Sequence, residues 1–106
     1  MARTPTRIAG PAVVSNSAAT KYTVPGATTA LVRSIHVSNP TASAVDFTLS
    51  IGTDAAGTRI YDGLSIAADT AKTFWCYHAV ATGEIIQAFA GTNNVITLTI
   101  DADLIT

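Results

Sequence analysis

Charge is scarce in this 106-residue chain: Asp, Glu, Lys and Arg make up 12% of it, against roughly 25% in an average soluble domain. A small domain has a large surface for its volume and ordinarily keeps that surface soluble with charge. Here Thr, Ser, Ala and Gly must form much of it. Two readings are open: a plain Thr-rich β surface, or one largely covered by neighbouring subunits. The balance favours the second.

Cysteine is nearly absent. With Cys76 alone, an internal disulfide framework and any multi-cysteine metal site are excluded. Long apolar runs are missing too, and none approaches the roughly 20 residues of a membrane helix. The N-terminus does not read as a signal peptide, because Gly10, Pro11, Ser15, Asn16 and Ser17 break the stretch after Arg3 and Arg7. The expectation is a chain made in a cytoplasm and soluble until it assembles, with no membrane partner. No stretch shows helical periodicity, and the length suits one domain.

Acidic residues are absent from positions 1–40, which hold Arg3, Arg7, Lys21 and Arg33. Positions 41–106 hold Arg59 and Lys72 against Asp46, Asp54, Asp62, Asp69, Glu84, Asp101 and Asp103. This asymmetry suits a basic segment that docks on an acidic neighbour. It lacks the clustered bases and high pI of a nucleic-acid binder.

What is present is period-2 alternation. Residues 1–17, with Pro5 and Pro11, read as an extended N-terminal arm with a short strand near Ala12–Val14; residues 18–106 read as the β-sandwich domain. Tyr22 and Val24 lead into Pro25-Gly26, a type II turn pair. Ala30–Ser38 follows, with Leu31, Arg33, Ile35 and Val37 on one face, and Asn39-Pro40-Thr41 ends it. In Val45–Ile51 the residues Val45, Phe47, Leu49 and Ile51 face one way. Arg59–Tyr61 and Leu64–Ile66 read as the arms of a hairpin turned by Asp62-Gly63. Thr70–Val80, Glu84–Phe89 and Val95–Asp101 complete the set. Seven or eight short strands spaced by turn signals predict an all-β fold, an antiparallel β-sandwich of immunoglobulin-like or jelly-roll-like type.

Chemistry-bearing motifs are also missing. His36 and His78 stand alone on separate strands, without the three or four spaced ligands of a zinc site. Cys76 has no electropositive neighbour in sequence that would make its thiol reactive. Asp101-Ala-Asp103 lacks the spacing of a hard-cation loop. There is no nucleophile elbow, phosphate loop or dinucleotide fingerprint. The reading is a protein with no catalytic, cofactor-binding or metal-binding residues. Trp75 and Tyr77 share one face of their strand while Phe74 takes the other. If Phe74 fills the core, the pair lies outside, as a protein interface or a sugar-stacking platform; if Trp75 is the core residue, neither role holds. Arg3, Arg7, Trp75 and Tyr77 are thus the candidate interface residues.

Tyr22-Thr-Val-Pro-Gly, Ala30-Leu-Val-Arg-Ser-Ile-His-Val-Ser-Asn-Pro-Thr, Val45-Asp-Phe-Thr-Leu-Ser-Ile-Gly, Arg59-Ile-Tyr-Asp-Gly and Leu64-Ser-Ile-Ala-Ala form a pattern of strands and turns across residues 20–106. It resembles the small β-sandwich structural proteins of tailed-bacteriophage virions: capsid decoration proteins, head fibres, and neck or tail components. The resemblance implies a homo-oligomer that docks on other virion proteins, the major capsid protein or neck and tail proteins, and brings no site motif with it. The leading expectation is a virion-located capsid decoration or cement protein; the alternative in the same class is a neck, tail or fibre component. An alternative of another class is a carbohydrate-binding host-attachment module.

Overall fold

Alternating Val, Ile, Leu and Phe with Thr and Ser gives each strand one apolar side, and two sheets can bury those sides only against each other. The computed structural model describes residues 2–106; Met1, the first residue of the expected arm, lies outside them. Eight strands form: β1 (Arg3–Val13), β2 (Ala19–Thr23), β3 (Thr29–Asn39), β4 (Val45–Ile51), β5 (Arg59–Ile66), β6 (Thr70–Val80), β7 (Ile85–Ala90) and β8 (Thr97–Ile105). They make two four-stranded sheets, ordered β1-β8-β3-β6 and β2-β7-β4-β5, called A and B below, and every pairing is antiparallel. Between them lies one core, with Phe47, Leu49, Ile35, Ile66, Ile86, Ile96, Leu98 and Ile100 fully buried. The all-β sandwich of about eight strands is therefore what the chain builds.

Residues 2–17 are not a free arm. Most of them form β1, which runs along β8 from Arg3 opposite Ile105 to Val13 opposite Thr97. Val14 is fully buried, and Ile8 and Ala9 pack against the core. Proline suggests an arm because it cannot donate to a ladder, yet that same property lets it sit on an edge strand. Pro5 and Pro11 occupy such an edge.

Three further expectations shift. In β3 the pairing slips between Val32 and Ser34. The extra residue swaps faces there, so Ala30 and Val32 share the core with Ile35 and Val37 while Arg33 is exposed. Leu31 is buried without joining the core cluster. Asp62-Gly63 does not turn a hairpin; β5 passes straight through it with a bulge, spending three residues from Tyr61 to Leu64 against two on β4. Gly63, at φ 62°, takes the left-handed conformation the bulge needs. At Pro25-Gly26 the left-handed residue is Ala27, at φ 54°, and not the glycine of a type II turn.

Sheet A bends about β8. Beside the single step from Ala102 to Asp101, β3 spends two residues, and β6 spends three against those two. Beside the next step, Asp101 to Ile100, β1 also spends two. Bulges stacked at one level curve and twist all the strands together.

A buried amide closes one end of the sandwich. Asn39, 1% exposed, donates through Nδ2 to the carbonyls of Ser43 and Ile66, both at 2.9 Å. Its Oδ1 accepts from Thr41 N and Oγ1 at 3.0 and 2.7 Å. Every polar group of this side chain is satisfied, which is what makes its burial tolerable.

Candidate functional site

Inward and outward sides of sheet A follow from β8, where Ile100 and Ala102 are core residues and Asp101 and Asp103 point away. The ladder carries that parity sideways. Arg7 pairs with Asp101, Asp101 with Ser34, and Ser34 with Trp75, a row that crosses all four strands on the outer face. One row away, Arg3 Nε and Arg33 Nη1 both donate to Asp103 Oδ2, at 3.0 and 3.1 Å. Ion pairs this exposed contribute little to stability; their effect is to hold two guanidinium groups side by side over one carboxylate. Arg7 makes no ion pair among the described residues.

At the opposite margin of the face stand Trp75, 82% exposed, and Tyr77, 70% exposed. Their position has a cause. Phe74 turns inward and stacks on Tyr61 of β5, with centroids 4.7 Å apart, sealing the side of the sandwich between the two sheets. Alternation then sends Trp75 and Tyr77 outward, and the possibility that Trp75 is a core residue is excluded. Burial at this seal raises the Tyr61 hydroxyl above its ordinary pKa. Cys76 lies between the two exposed rings in sequence but faces inward, its Sγ 3.7 Å from the Val32 carbonyl. Burial raises its thiol as well, so it is not an activated nucleophile.

The four candidate interface residues therefore share one face of one sheet but not one spot. Arg3 and Arg7 lie on β1, Trp75 and Tyr77 on β6, three strand spacings or about 14 Å apart. His36 lies between them, its Nδ1 2.8 Å from Thr73 Oγ1. Among the described residues no three His, Cys, Asp or Glu side chains gather to hold a metal ion, and no helix is long and apolar enough to cross a membrane. A shallow open depression at the end of sheet A is lined by Ser38, Asn39, Pro40, Asp69, Thr70 and Ala71.

The outer face of sheet B is closed by its own chain. Arg59 grips Asp54 with two hydrogen bonds, Nε to Oδ1 at 2.8 Å and Nη2 to Oδ2 at 3.0 Å, and reaches Asp62 Oδ1 at 3.1 Å. Its guanidinium also sits 5.5 Å from the centre of the Phe89 ring. Asp54 N donates to Gln87 Oε1, and Gln87 Nε2 donates to Thr20 Oγ1, so the loop after β4 is tied across the sheet. Beneath it the outward Thr48 and Ser50 are buried. Sequence reading passed over this network; its trace was one arginine within five residues of two aspartates.

The Arg59 hydrogen bonds hold the Asp54 carboxyl below the ordinary carboxylate range. The folded state therefore binds that proton less readily than the unfolded one. The stability linked to it is complete above the ordinary Asp range and is lost as pH falls through the lowered value. In thermal melts between about pH 6 and pH 2, the native protein is expected to lose its midpoint more steeply than Asp54→Asn. Parallel slopes would show that the pair is not linked to folding.

The two sheet faces thus differ in kind: B is covered from within, and A presents arginines at one margin and bare aromatics at the other. Comparison with protein-family models, with curated proteins and with solved structures finds no match to this chain.

Proposed function

We propose that this chain is a bacteriophage virion structural protein, a capsid decoration or cement protein that stabilises the head through subunit–subunit contacts and has no catalytic role. The observation that carries the reading is the contrast between the self-covered face of sheet B and the open, arginine- and aromatic-bearing face of sheet A. Trp, Tyr and Arg are the residues enriched at the centres of protein interfaces, and here Trp75, Tyr77, Arg3 and Arg33 stand exposed on the outer face of sheet A, around the buried Leu31 and Ser34. On this reading Arg3 and Arg7 on the β1 margin, with Arg33 of β3 beside them over Asp103, meet an acidic surface of the major capsid protein, and the protein is made in the host cytoplasm and ends in the virion.

Two further points support it. The strand order β1-β8-β3-β6 over β2-β7-β4-β5 favours the jelly-roll over the immunoglobulin-like arrangement, since eight strands in two four-stranded sheets is the jelly-roll pattern. Jelly-rolls serve in viral capsids and in lectins, an argument by analogy of fold. The resemblance of residues 20–106 to phage structural proteins points the same way.

A second reading rests on the same two rings. Trp75 and Tyr77, both exposed and on one face, could stack sugars as a host-attachment module. Mixing the purified chain with undecorated virion shells and counting bound copies separates the readings. Hundreds of copies per particle, with binding weakened by Arg3→Ala, Arg7→Ala and by added salt, is the expected result. A dozen or fewer moves the protein to the neck, tail or a fibre. No particle binding, together with glycan binding lost in Trp75→Ala/Tyr77→Ala, replaces the structural role with the attachment one.

A further inference from the structure

A sheet edge exposes a row of unpaired N–H and C=O groups, and proteins blunt such edges with prolines, charges, bulges or brevity. Three of the four edges here are blunted. β1 carries Pro5, Pro11, Arg3 and Arg7. β2 has five residues, with a register shift at Lys21. β5 is bulged at Asp62-Gly63 and carries the Arg59–Asp62 pair. The fourth, β6, is eleven residues long, has neither proline nor glycine, and holds one full charge, Lys72. Its irregularity at Cys76–Tyr77 belongs to the bend of the whole sheet. Among the described residues, no hydrogen bond reaches its open side.

We propose that β6 pairs antiparallel with β6 of a second copy about a twofold axis, joining two A sheets into one eight-stranded sheet. This deepens the docking reading above and rests on it for the role of Trp75 and Tyr77. The occupant is a second copy because the strand suits its own reverse. Trp75 is the central residue of Thr70–Val80, so full overlap sets it against the second copy's Trp75, with Tyr77 on the diagonal, a distance aromatic side chains span. In that register Lys72 lies opposite the second copy's His78, and no two lysines meet. Side by side on one face, the four rings each bury part of their roughly 150–250 Å² toward the ~1,200–2,000 Å² that a stable interface buries. The strand backbones and the flanking Ala71, Thr73 and Ala79 lie in the same seam. The contact is isologous, the geometry of a closed dimer.

Sedimentation equilibrium and amide hydrogen exchange on the isolated full chain, with no particle present, test this. The expected result is a dimer in which alternate β6 amides, those facing away from β3, are protected. Trp75→Lys should weaken it by at least about thirtyfold, the loss of one interface hot spot, and return those amides to fast exchange. Tyr77→Lys is the second probe should Trp75→Lys disturb the fold. Arg3→Ala/Arg7→Ala should leave the dimer unchanged. A monomer at all concentrations overturns the proposal. So does a dimer whose outward β6 amides exchange fast, which would be face-to-face packing, or one that Trp75→Lys and Tyr77→Lys leave equally tight. Because particles are absent, a failure here leaves capsid docking standing, and a failure to bind particles leaves the dimer standing.

Discussion

Deleting residues 1–17 is expected to abolish cooperative unfolding altogether, where removal of a true arm would leave it untouched. Val14 is fully buried and Ile8 is packed against the core. Fully burying a side chain of this size contributes about 1.5–3 kcal/mol, and the half-buried Ile8 adds a part of that. The backbone is equally committed: Val14 N donates to Ile96 O at 2.9 Å, Asn94 N to Val14 O at 3.0 Å, and Ala90 N to Ser15 O at 2.9 Å. These bonds tie the segment to both ends of the loop between β7 and β8. The β1 ladder on β8 would go as well, at about 0.5–1.5 kcal/mol for each net hydrogen bond. The total exceeds about 5 kcal/mol, which is comparable with the whole stability of a small domain. Far-ultraviolet circular dichroism on heating checks this. A sigmoidal transition within a few degrees of the intact chain would mean that β1 is dispensable.

Gly10→Ala is expected to cost about 3–4 kcal/mol, far more than the same change at other glycines. Gly10 sits at φ 71° where β1 swings against β8, between the pairs Ala9–Ile100 and Ala12–Leu98. An L residue held at such a φ loses about 1–2 kcal/mol. A β-carbon there would also lie 1.9 Å from the Leu98 carbonyl oxygen and 2.9 Å from its carbon. Both atoms are main chain, so the strands must part; shifts of that kind cost about 1–3 kcal/mol. Gly26→Ala and Gly57→Ala are the controls, since nothing lies within 4 Å of a β-carbon at either position and surface changes stay within about 0.5 kcal/mol. Urea unfolding of the three variants decides it. A Gly10→Ala midpoint equal to the controls would show that the local backbone relaxes freely.

Much of this architecture is legible in the sequence, and the parts that are not have physical reasons. Val45–Ile51 reads correctly because Phe47 and Leu49 alternate without interruption against Asp46 and Thr48. The outward Trp75 and Tyr77 follow from the same rule once Phe74 is inside. Residues at bulges defeat it, since one extra residue at Arg33 or at Asp62-Gly63 reverses every face beyond it, and the partner strand that exposes the mismatch is distant in sequence. β1 escapes for a related reason: its prolines matter only relative to which side of the strand stays unpaired. Asn39 is invisible as a buried residue because its acceptors at Ser43 and Ile66 come together only in the folded chain. The four candidate interface residues are individually legible, but their common face depends on Ser34 and Asp101 bridging β6 to β1, a matter of strand order and not of spacing.

The prolines of β1 set a limit on growth. A molecule whose two A-sheet margins both accepted a strand would have a valence of two and would string into open fibres. With Pro5 and Pro11 on one margin the proposed pairing through β6 would leave a valence of one, exhausted by a single encounter. Each copy would then count its neighbours, and association by sheet edges would end at a pair.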